Sequence, residues 1–86
     1  MFYVYIIESG SGQFYIGYTS NLERRIEEHL TGKGGWTSSR DSWRLRYYEV
    51  FEEDTAARKR EIKLKKAKNK RYLAWLCKNG SGFIVG

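Results

Sequence analysis

Five side chains of the kinds that phosphate-ester cleavage requires are spread along this sequence. Tyr5 and Tyr15 stand in short apolar segments near the start of the chain. Arg25 and His29 follow four residues apart, and Glu61 stands among lysines and arginines as the last carboxylate side chain before the C-terminus. Two phenols, an arginine, a histidine and one carboxylate are the groups that a metal-assisted attack of water on a phosphodiester would use.

Each of these residue types answers a physical need of that reaction. Negative charge gathers on the non-bridging oxygens in the transition state, and a metal ion and the planar guanidinium fork of an arginine can stabilise it. One carboxylate can suffice for Mg²⁺, because this ion commonly keeps several waters and takes phosphate oxygens as ligands. The attacking water must be positioned and deprotonated. A tyrosine, with an ordinary pKa of about 10, acts as a base only beside positive charge.

Length and composition limit the chain to one small domain. Its 86 residues are too few for two cores, and the single Cys77 excludes an internal disulfide and a cysteine-based zinc site. The apolar start, residues 1–7, lacks a basic flank and ends at Glu8, so it reads as a strand rather than a signal peptide. No stretch approaches the roughly 20 apolar residues of a membrane span. We therefore expect a soluble, cytoplasmic protein with no membrane partner.

The net charge of +6 is unevenly distributed along the chain. Residues 1–53 carry six Lys/Arg and eight Asp/Glu, a net of −2, whereas residues 54–86 carry ten Lys/Arg and two Asp/Glu, a net of +8. Such asymmetry indicates a polyanionic partner, with nucleic acid first and an acidic membrane surface second. A solubilising helix face would also account for it.

Apolar patterning and turn signals predict three strands and three helices in an α+β arrangement. Residues 2–7 and 13–18 are aromatic and β-branched, and the Ser/Gly segment between them predicts a β-hairpin. Because the first strand lacks clean alternation, we expect both of its faces to be covered. The other elements are predicted at 45–51 (strand) and at 21–30, about 54–68 and 69–78 (helices). One domain is expected over residues 1–78, followed by a tail, 79–86, that could add an edge strand or fray.

Cap signals set the predicted helix starts. Ser20 and Glu23 form a capping-box pattern before the first helix, and Asp54 or Thr55 is expected to cap the second. The third helix is predicted to pack through Tyr72, Leu73, Trp75 and Leu76. A polar, glycine-rich loop over residues 32–42 carries Lys33, Trp36 and Arg40, the last two as weak candidates for contact with a distorted strand.

Helical periodicity places the candidate residues at the edges of apolar stripes. At about 100° per residue, Arg25 and His29 lie along one edge of the stripe formed by Leu22 and Ile26, a position that predicts a border of a cleft. Glu61 lies about 40° beyond the apolar sector of its own helix, so it is also an edge residue.

In order and spacing, these segments resemble the GIY-YIG nuclease family. Tyr3-Val4-Tyr5 corresponds to the first family triplet and Tyr15-Ile16-Gly17 to the second. The run from Gly17 to Arg25, ending at His29, matches the family's glycine, helix start, arginine and histidine. Arg60-Glu61, followed by Leu64-Lys65-Lys66, is similar to the segment around the family's metal-binding glutamate.

The resemblance covers about residues 2–76 and is closest to small single-domain members similar to the N-terminal nuclease domain of the bacterial excision-repair C subunit. Two features depart from the family pattern. Tyr3 stands where the first triplet has glycine, and neither Asn69 nor Asn79 clearly matches the asparagine that often follows the glutamate.

This resemblance implies a three-stranded antiparallel sheet flanked by helices, and cleavage of DNA with one divalent metal, Mg²⁺ or Mn²⁺. Glu61 would be the metal ligand and Arg25 the phosphate clamp. Tyr5 and Tyr15 would position or deprotonate the water with His29 as proton relay, and whether Tyr5 or His29 is the base stays open. Gly17 would let the backbone approach the phosphate or the helix start. The residues expected to grip nucleic acid are Arg58, Lys59, Lys63, Lys65, Lys66, Lys68, Lys70 and Arg71.

Structural interpretations compete with these roles. Tyr5 and Tyr15 could be core aromatics with a solvated hydroxyl, Arg25 could pair with Glu28 on the helix surface, and Glu61 could neutralise Lys65 at i+4. At the level of function, the alternatives are a nucleic-acid-binding module that kept the fold without catalysis, and a scaffold subunit of a larger repair assembly. Only the coincidence of five residues in family order favours the nuclease.

Overall fold

The computed structural model describes residues 1–30, 43–67, 69–79 and 83–84. The strands are β1 (Phe2–Ser9), β2 (Phe14–Thr19), β3 (Trp43–Phe51) and β4 (Phe83–Ile84), and the helices are α1 (Leu22–Leu30), α2 (Asp54–Ala67) and α3 (Lys70–Asn79). The sequence-predicted loop residues Lys33, Trp36 and Arg40, and the basic Lys68, lie outside the described residues.

The sheet has the strand order β2-β1-β3-β4. β1 pairs antiparallel with β2 and with β3, so the predicted three-stranded antiparallel sheet and the α+β class are confirmed. β4 adds a short parallel pairing to β3, with Phe83 opposite Glu49. The tail was predicted either to add an edge strand or to fray, and its residues 83–84 form the edge strand β4. The domain boundary at residue 78 stays a prediction.

β1 is the central strand of the antiparallel part, and both of its faces are covered. Val4 and Ile6 belong to the larger core cluster, which α2 and α3 complete with Ala57, Leu64, Leu73 and Leu76. Tyr5 and Ile7 point to the opposite face, where Leu22 and Ile26 of α1 pack against them. Four consecutive buried residues, 4–7, explain why this strand shows no alternation of polar and apolar positions.

Asparagine side chains cap the first and third helices. The Asn21 Oδ1 accepts a hydrogen bond from the Arg24 amide at 3.1 Å, so the predicted Ser20 capping box is wrong. Thr19 accounts for the difference, because its hydroxyl contacts the Asn21 backbone and extends the turn by one residue. Asn69 caps α3 in the same way, accepting from the Tyr72 amide at 3.1 Å.

Two other local predictions need correction. α2 already begins at Asp54, and the Glu53 carbonyl accepts from the Ala57 amide at 3.2 Å, so Glu53 rather than Asp54 or Thr55 holds the cap position. Trp75 does not pack into the core, since 58% of it is exposed. It follows Leu73 by two positions, which turns it about 200° around the helix from that buried residue.

Candidate active site

Gly17 makes room for the Tyr5 ring at the β2 end of the sheet. The two residues are register partners on adjacent strands. A Cβ at position 17 would lie 2.2 Å from both Cζ and Oη of Tyr5, a distance that no real Cβ contact shows. The tip of the phenol therefore lies directly over the glycine. The structure thus gives a packing reason for glycine at position 17, in addition to the predicted close approach of the backbone to a phosphate.

The Tyr5 hydroxyl joins the sheet to α1 through two hydrogen bonds. Its oxygen lies 2.9 Å from Nε2 of His29 and accepts from Nε of Arg25 at 3.4 Å. Arg25 and His29 reach the same phenol because a spacing of four residues puts them on one face of the helix. His29 is buried, with 2% exposure, and so lies deeper than the cleft border predicted from periodicity.

Tyr15 completes a cluster of three rings. It precedes Gly17 by two positions on β2 and so projects on the same face of the sheet. Its ring centroid lies 6.5 Å from that of Tyr5 and 5.3 Å from that of His29, both in tilted arrangements. Tyr15 is also close enough to Arg25 to contribute to the raised pKa of that guanidinium. Two strands and one helix thus bring four of the five predicted residues together.

The environment of the cluster sets the protonation states of its members. Burial raises the pKa of Tyr5 to about 12, a rise that the hydrogen bond and charge of Arg25 oppose. Burial lowers the pKa of His29 below its ordinary value, and the nearby charge of Arg25 lowers it further. At neutral pH, His29 is therefore a neutral imidazole that can accept a proton, whereas the Tyr5 phenol keeps its own.

Arg25 has an acidic neighbour as well as the two tyrosines. Its Nη1 donates to Oε1 of Glu28 at 2.9 Å. The hydrogen bonds that Arg25 donates, to Glu28 first and to Tyr5 after it, raise the pKa of Arg25, so the guanidinium keeps its charge. The helix-surface pair considered from the sequence therefore exists, and it coexists with the contact to Tyr5.

Glu61 lies within electrostatic reach of Tyr5, although its helix α2 packs against the other face of the sheet. It is close enough to Tyr5 for its charge to raise the pKa of that phenol, as a smaller cause than burial. Lys65 is one helical turn further, forms a 3.2 Å ion pair with Glu61, and lines a pocket of about 310 Å³ with Phe14, Tyr15 and Ile16. Glu61 is thus paired with Lys65, which lies against the β2 residues Phe14, Tyr15 and Ile16.

The predicted nucleic-acid-binding residues divide between two sides of α2. Lys65 and Arg58 lie about 40° and 60° from Glu61 around the helix, on the β2 side. Arg58 also forms a 3.4 Å ion pair with Asp54 and lies 5.2 Å above the Tyr18 ring. The remaining members are all exposed. Those on α2 point away from the β2 edge, and the others lie on α3: Lys59, Lys63 and Lys66 on α2, and Lys70 and Arg71 on α3.

A buried ion pair next to Glu61 was missed by the sequence interpretation. Glu49 on β3 is 3% exposed and receives a two-pronged contact from Arg60, with Nε to Oε1 at 2.9 Å and Nη2 to Oε2 at 3.0 Å. Tyr47 also donates to Glu49, and Arg60 donates to the Tyr72 hydroxyl at 3.3 Å. The sequence signal was a carboxylate on the same strand face as two buried aromatics, at alternate positions 47, 49 and 51.

This ion pair sets the orientation of α2 against the sheet. A fork of two hydrogen bonds fixes both the rotation and the axial position of the residue that makes it. Because Arg60 directly precedes Glu61, the same contact fixes the direction in which Glu61 leaves the helix.

Comparison with known proteins identifies the class to which this fold and site belong. The model of the GIY-YIG catalytic domain matches residues 1–73, and the chain belongs to this family. The family implies a nuclease-type activity, and hence a nucleic-acid substrate.

The relatives are small proteins named UPF0213, and these names state no activity. A UPF0213 protein of Halobacterium salinarum is 39% identical over 76% of this chain and 86% of its own length. One from Clostridium perfringens is 42% identical over 77% of this chain and 72% of its own. The solution NMR structure of a UPF0213 protein from Bacillus halodurans matches with a TM-score of 0.59 and 33% identity, covering 93% of this chain and 87% of that one.

The described residues fit a metal only through water and substrate ligands. Among residues 1–30, 43–67, 69–79 and 83–84, no group of three or more His, Cys, Asp and Glu could hold an ion. Glu61 supplies one carboxylate, with 20% side-chain exposure. This donor set suits Mg²⁺ or Mn²⁺, hard ions that retain water and take phosphate oxygens. In the described part of the chain, no helix is long and apolar enough to cross a membrane.

Proposed function

We propose that this protein is a metal-dependent endonuclease that hydrolyses phosphodiester bonds of DNA. One observation carries the proposal: a single phenol, Tyr5, hydrogen-bonds His29 and Arg25 at the β2 edge, within electrostatic reach of Glu61. A merely structural tyrosine needs one partner for its hydroxyl. Contact with both a neutral base and a permanent cation suits proton transfer beside a phosphate.

His29 is proposed as the final proton acceptor and Tyr5 as the group that passes the proton on. With its pKa raised to about 12, the Tyr5 phenol is a poor base by itself at neutral pH. A neutral His29 protonated on Nδ1 can accept the phenol proton at Nε2 while the phenol takes a proton from water. Of the two candidate bases that the sequence left open, these protonation states support His29, with Tyr5 as the relay.

Arg25 and Glu61 are proposed to manage the negative charge. The Arg25 guanidinium lies against both tyrosines and can donate to a phosphate oxygen in the transition state. Glu61 would hold the divalent ion, which when bound supplies Lewis-acid stabilisation of the phosphate. Lys65, now paired with Glu61, would be released to contact the backbone of the substrate.

Charge supports a nucleic acid as the partner, and the resemblance to an excision-repair domain supports DNA, with a role in DNA repair or recombination. A grip through lysines and arginines is salt-dependent and largely indifferent to sequence. Membership of a larger repair assembly and a cytoplasmic location remain predictions. The second candidate is a binding module without catalysis, which the ion pair between Glu61 and Lys65 favours because it neutralises the proposed metal ligand.

The test is cleavage of supercoiled, branched and single-stranded DNA with Mg²⁺ or Mn²⁺. Glu61→Ala and Arg25→Ala should each lower the rate by about 10²–10³-fold, the loss typical of one preorganised transition-state contact. Glu52→Ala, at an exposed carboxylate in the turn before α2, serves as the control and should cut normally. Cleavage that survives both site substitutions would refute the proposal. DNA retention without any cleavage by the wild type would support the binding module.

A further inference from the structure

An exposed aromatic ring on α3, away from the candidate active site, packs against a second ring. Trp75 is 58% exposed and stacks on Tyr72, with ring centroids 6.4 Å apart and planes inclined by 9°. Tyr72 is itself anchored, because its hydroxyl accepts from Arg60, which is locked to the buried Glu49. A large exposed apolar surface fixed in this way loses little side-chain entropy when a planar ligand stacks on it.

The ring stands at the solvent side of the junction between α2 and α3. The contact between Arg60 and Tyr72 shows which flanks of the two helices meet. On α3, Trp75 lies about 60° further toward solvent than Tyr72, and on α2, Lys63 lies about 60° further toward solvent than Arg60. Both side chains therefore border the same junction from its exposed side.

Among the described residues, the exposed charged side chains that flank this ring on α2 and α3 are positive. From residue 62 to the C-terminus, the chain has no carboxylate side chain. Arg71 and Lys78 lie one helical turn before and after Trp75, and both are exposed, as are Lys59 and Lys63 on α2. An aromatic ring among cations favours a ligand that combines flat π-faces with negative charge, and an acidic protein surface offers no such planes.

We propose that the junction of α2 and α3 binds unpaired nucleotides of a nucleic acid, with a base stacked on Trp75 and the flanking phosphates beside Lys63 and Arg71. Bases within a duplex keep their faces covered by their neighbours, so the site selects single-stranded segments. This inference rests on the proposed function for the choice of nucleic acid as ligand. It deepens that function, since the preferred substrate then carries a single-stranded stretch at a distance from the cut.

The experiment measures binding to the non-cleaving Glu61→Ala protein, so that binding and catalysis are scored separately. A short oligothymidylate and a blunt duplex of equal length serve as probes. Trp75→Ala should weaken binding of the single strand by about 5- to 150-fold, the range that loss of one stacked base produces, and leave duplex binding nearly unchanged. Trp75→Phe should restore much of the affinity, and Leu45→Ala, at an exposed apolar residue on β3, should change neither.

Two further readouts separate stacking from charge. Single-strand binding should quench tryptophan fluorescence, and the quenching should disappear in Trp75→Phe. Lys63→Gln should lower the slope of log affinity against log salt by roughly 0.7 for the single strand, whereas Trp75→Ala should leave this slope unchanged. Equal losses for both probes in Trp75→Ala, or an altered oligomeric state with unaltered binding of DNA, would overturn the inference. Absence of cleavage by the wild type would count against the proposed activity alone.

Discussion

Replacing Gly17 by alanine should disable the site although no proposed catalytic side chain is itself substituted. The new Cβ would lie 2.2 Å from Cζ and Oη of Tyr5, and ordinary contact begins at 3.4 Å. The phenol must therefore move by about 1.2 Å, the difference between these distances. A shift of about 1 Å in a reacting group can lower a rate by ~10²-fold. Such a shift also breaks the 2.9 Å contact to His29.

Stability and rate should respond differently in this variant. Overpacking in a well-packed region lowers the free energy of unfolding by about 1–3 kcal/mol, which urea denaturation can measure. The matched control is Gly10→Ala, because a Cβ at Gly10 meets nothing within 4 Å. We expect that control to retain its rate and to be neutral or slightly more stable, since alanine restricts the unfolded chain.

A double substitution tests whether the Tyr5 phenol is the link. If Gly17→Ala acts through that hydroxyl, then adding Tyr5→Phe should lower the rate little further, because the two changes remove one function. Rates should be compared at a temperature where all variants are folded. A Gly17→Ala protein that cuts as fast as the wild type would refute the reasoning, as would fully additive losses in the double variant.

Two further substitutions probe buried charge. Glu49→Gln should lower the free energy of unfolding by about 3–5 kcal/mol, because it leaves the Arg60 guanidinium without its buried partner. Glu52→Gln, at an exposed carboxylate, is the control. A loss below about 1 kcal/mol in Glu49→Gln, no larger than in the control, would contradict this prediction. Because burial lowers the pKa of His29, the folded state binds a proton less readily than the unfolded chain, so stability present above about pH 6.5 should decline as the pH falls. The cleavage rate should fall over the same acid range, and urea titrations at several pH values should show that His29→Gln removes part of the slope. Identical slopes for the two proteins would count against a buried neutral histidine.

The sequence was most informative where spacing along one element determines which side chains meet. Arg25 and His29 share a helix face whatever the tertiary structure, and Tyr15 and Gly17 share a strand face. The hairpin then required only its observed register to bring Tyr5 over Gly17. The absence of alternation in β1 correctly indicated that both faces of the strand are covered.

What the sequence could not predict depends on contacts between elements. The Thr19 hydroxyl decided that Asn21 rather than Ser20 caps α1. Glu49 and Arg60 are eleven residues apart, and no local pattern shows that a strand carboxylate and a helix guanidinium will be buried together. The exposure of Trp75 likewise depends on which flank of α3 meets α2. Hydrophobicity alone predicts that Trp75 is buried, because tryptophan counts as an apolar residue.

The place of Tyr15 and Gly17 on β2, at one end of the sheet, has a consequence for how a polymer reaches them. Tyr5 and His29 are buried, whereas Tyr15 and Arg25 are half-buried, so a long chain that settles along the β2 edge would meet Tyr15 and Arg25 first, without threading a free terminus through a tunnel. In the proposed nuclease, such an edge would admit circular molecules as readily as linear ones. It would also let both severed ends leave by the route along which the intact chain arrived.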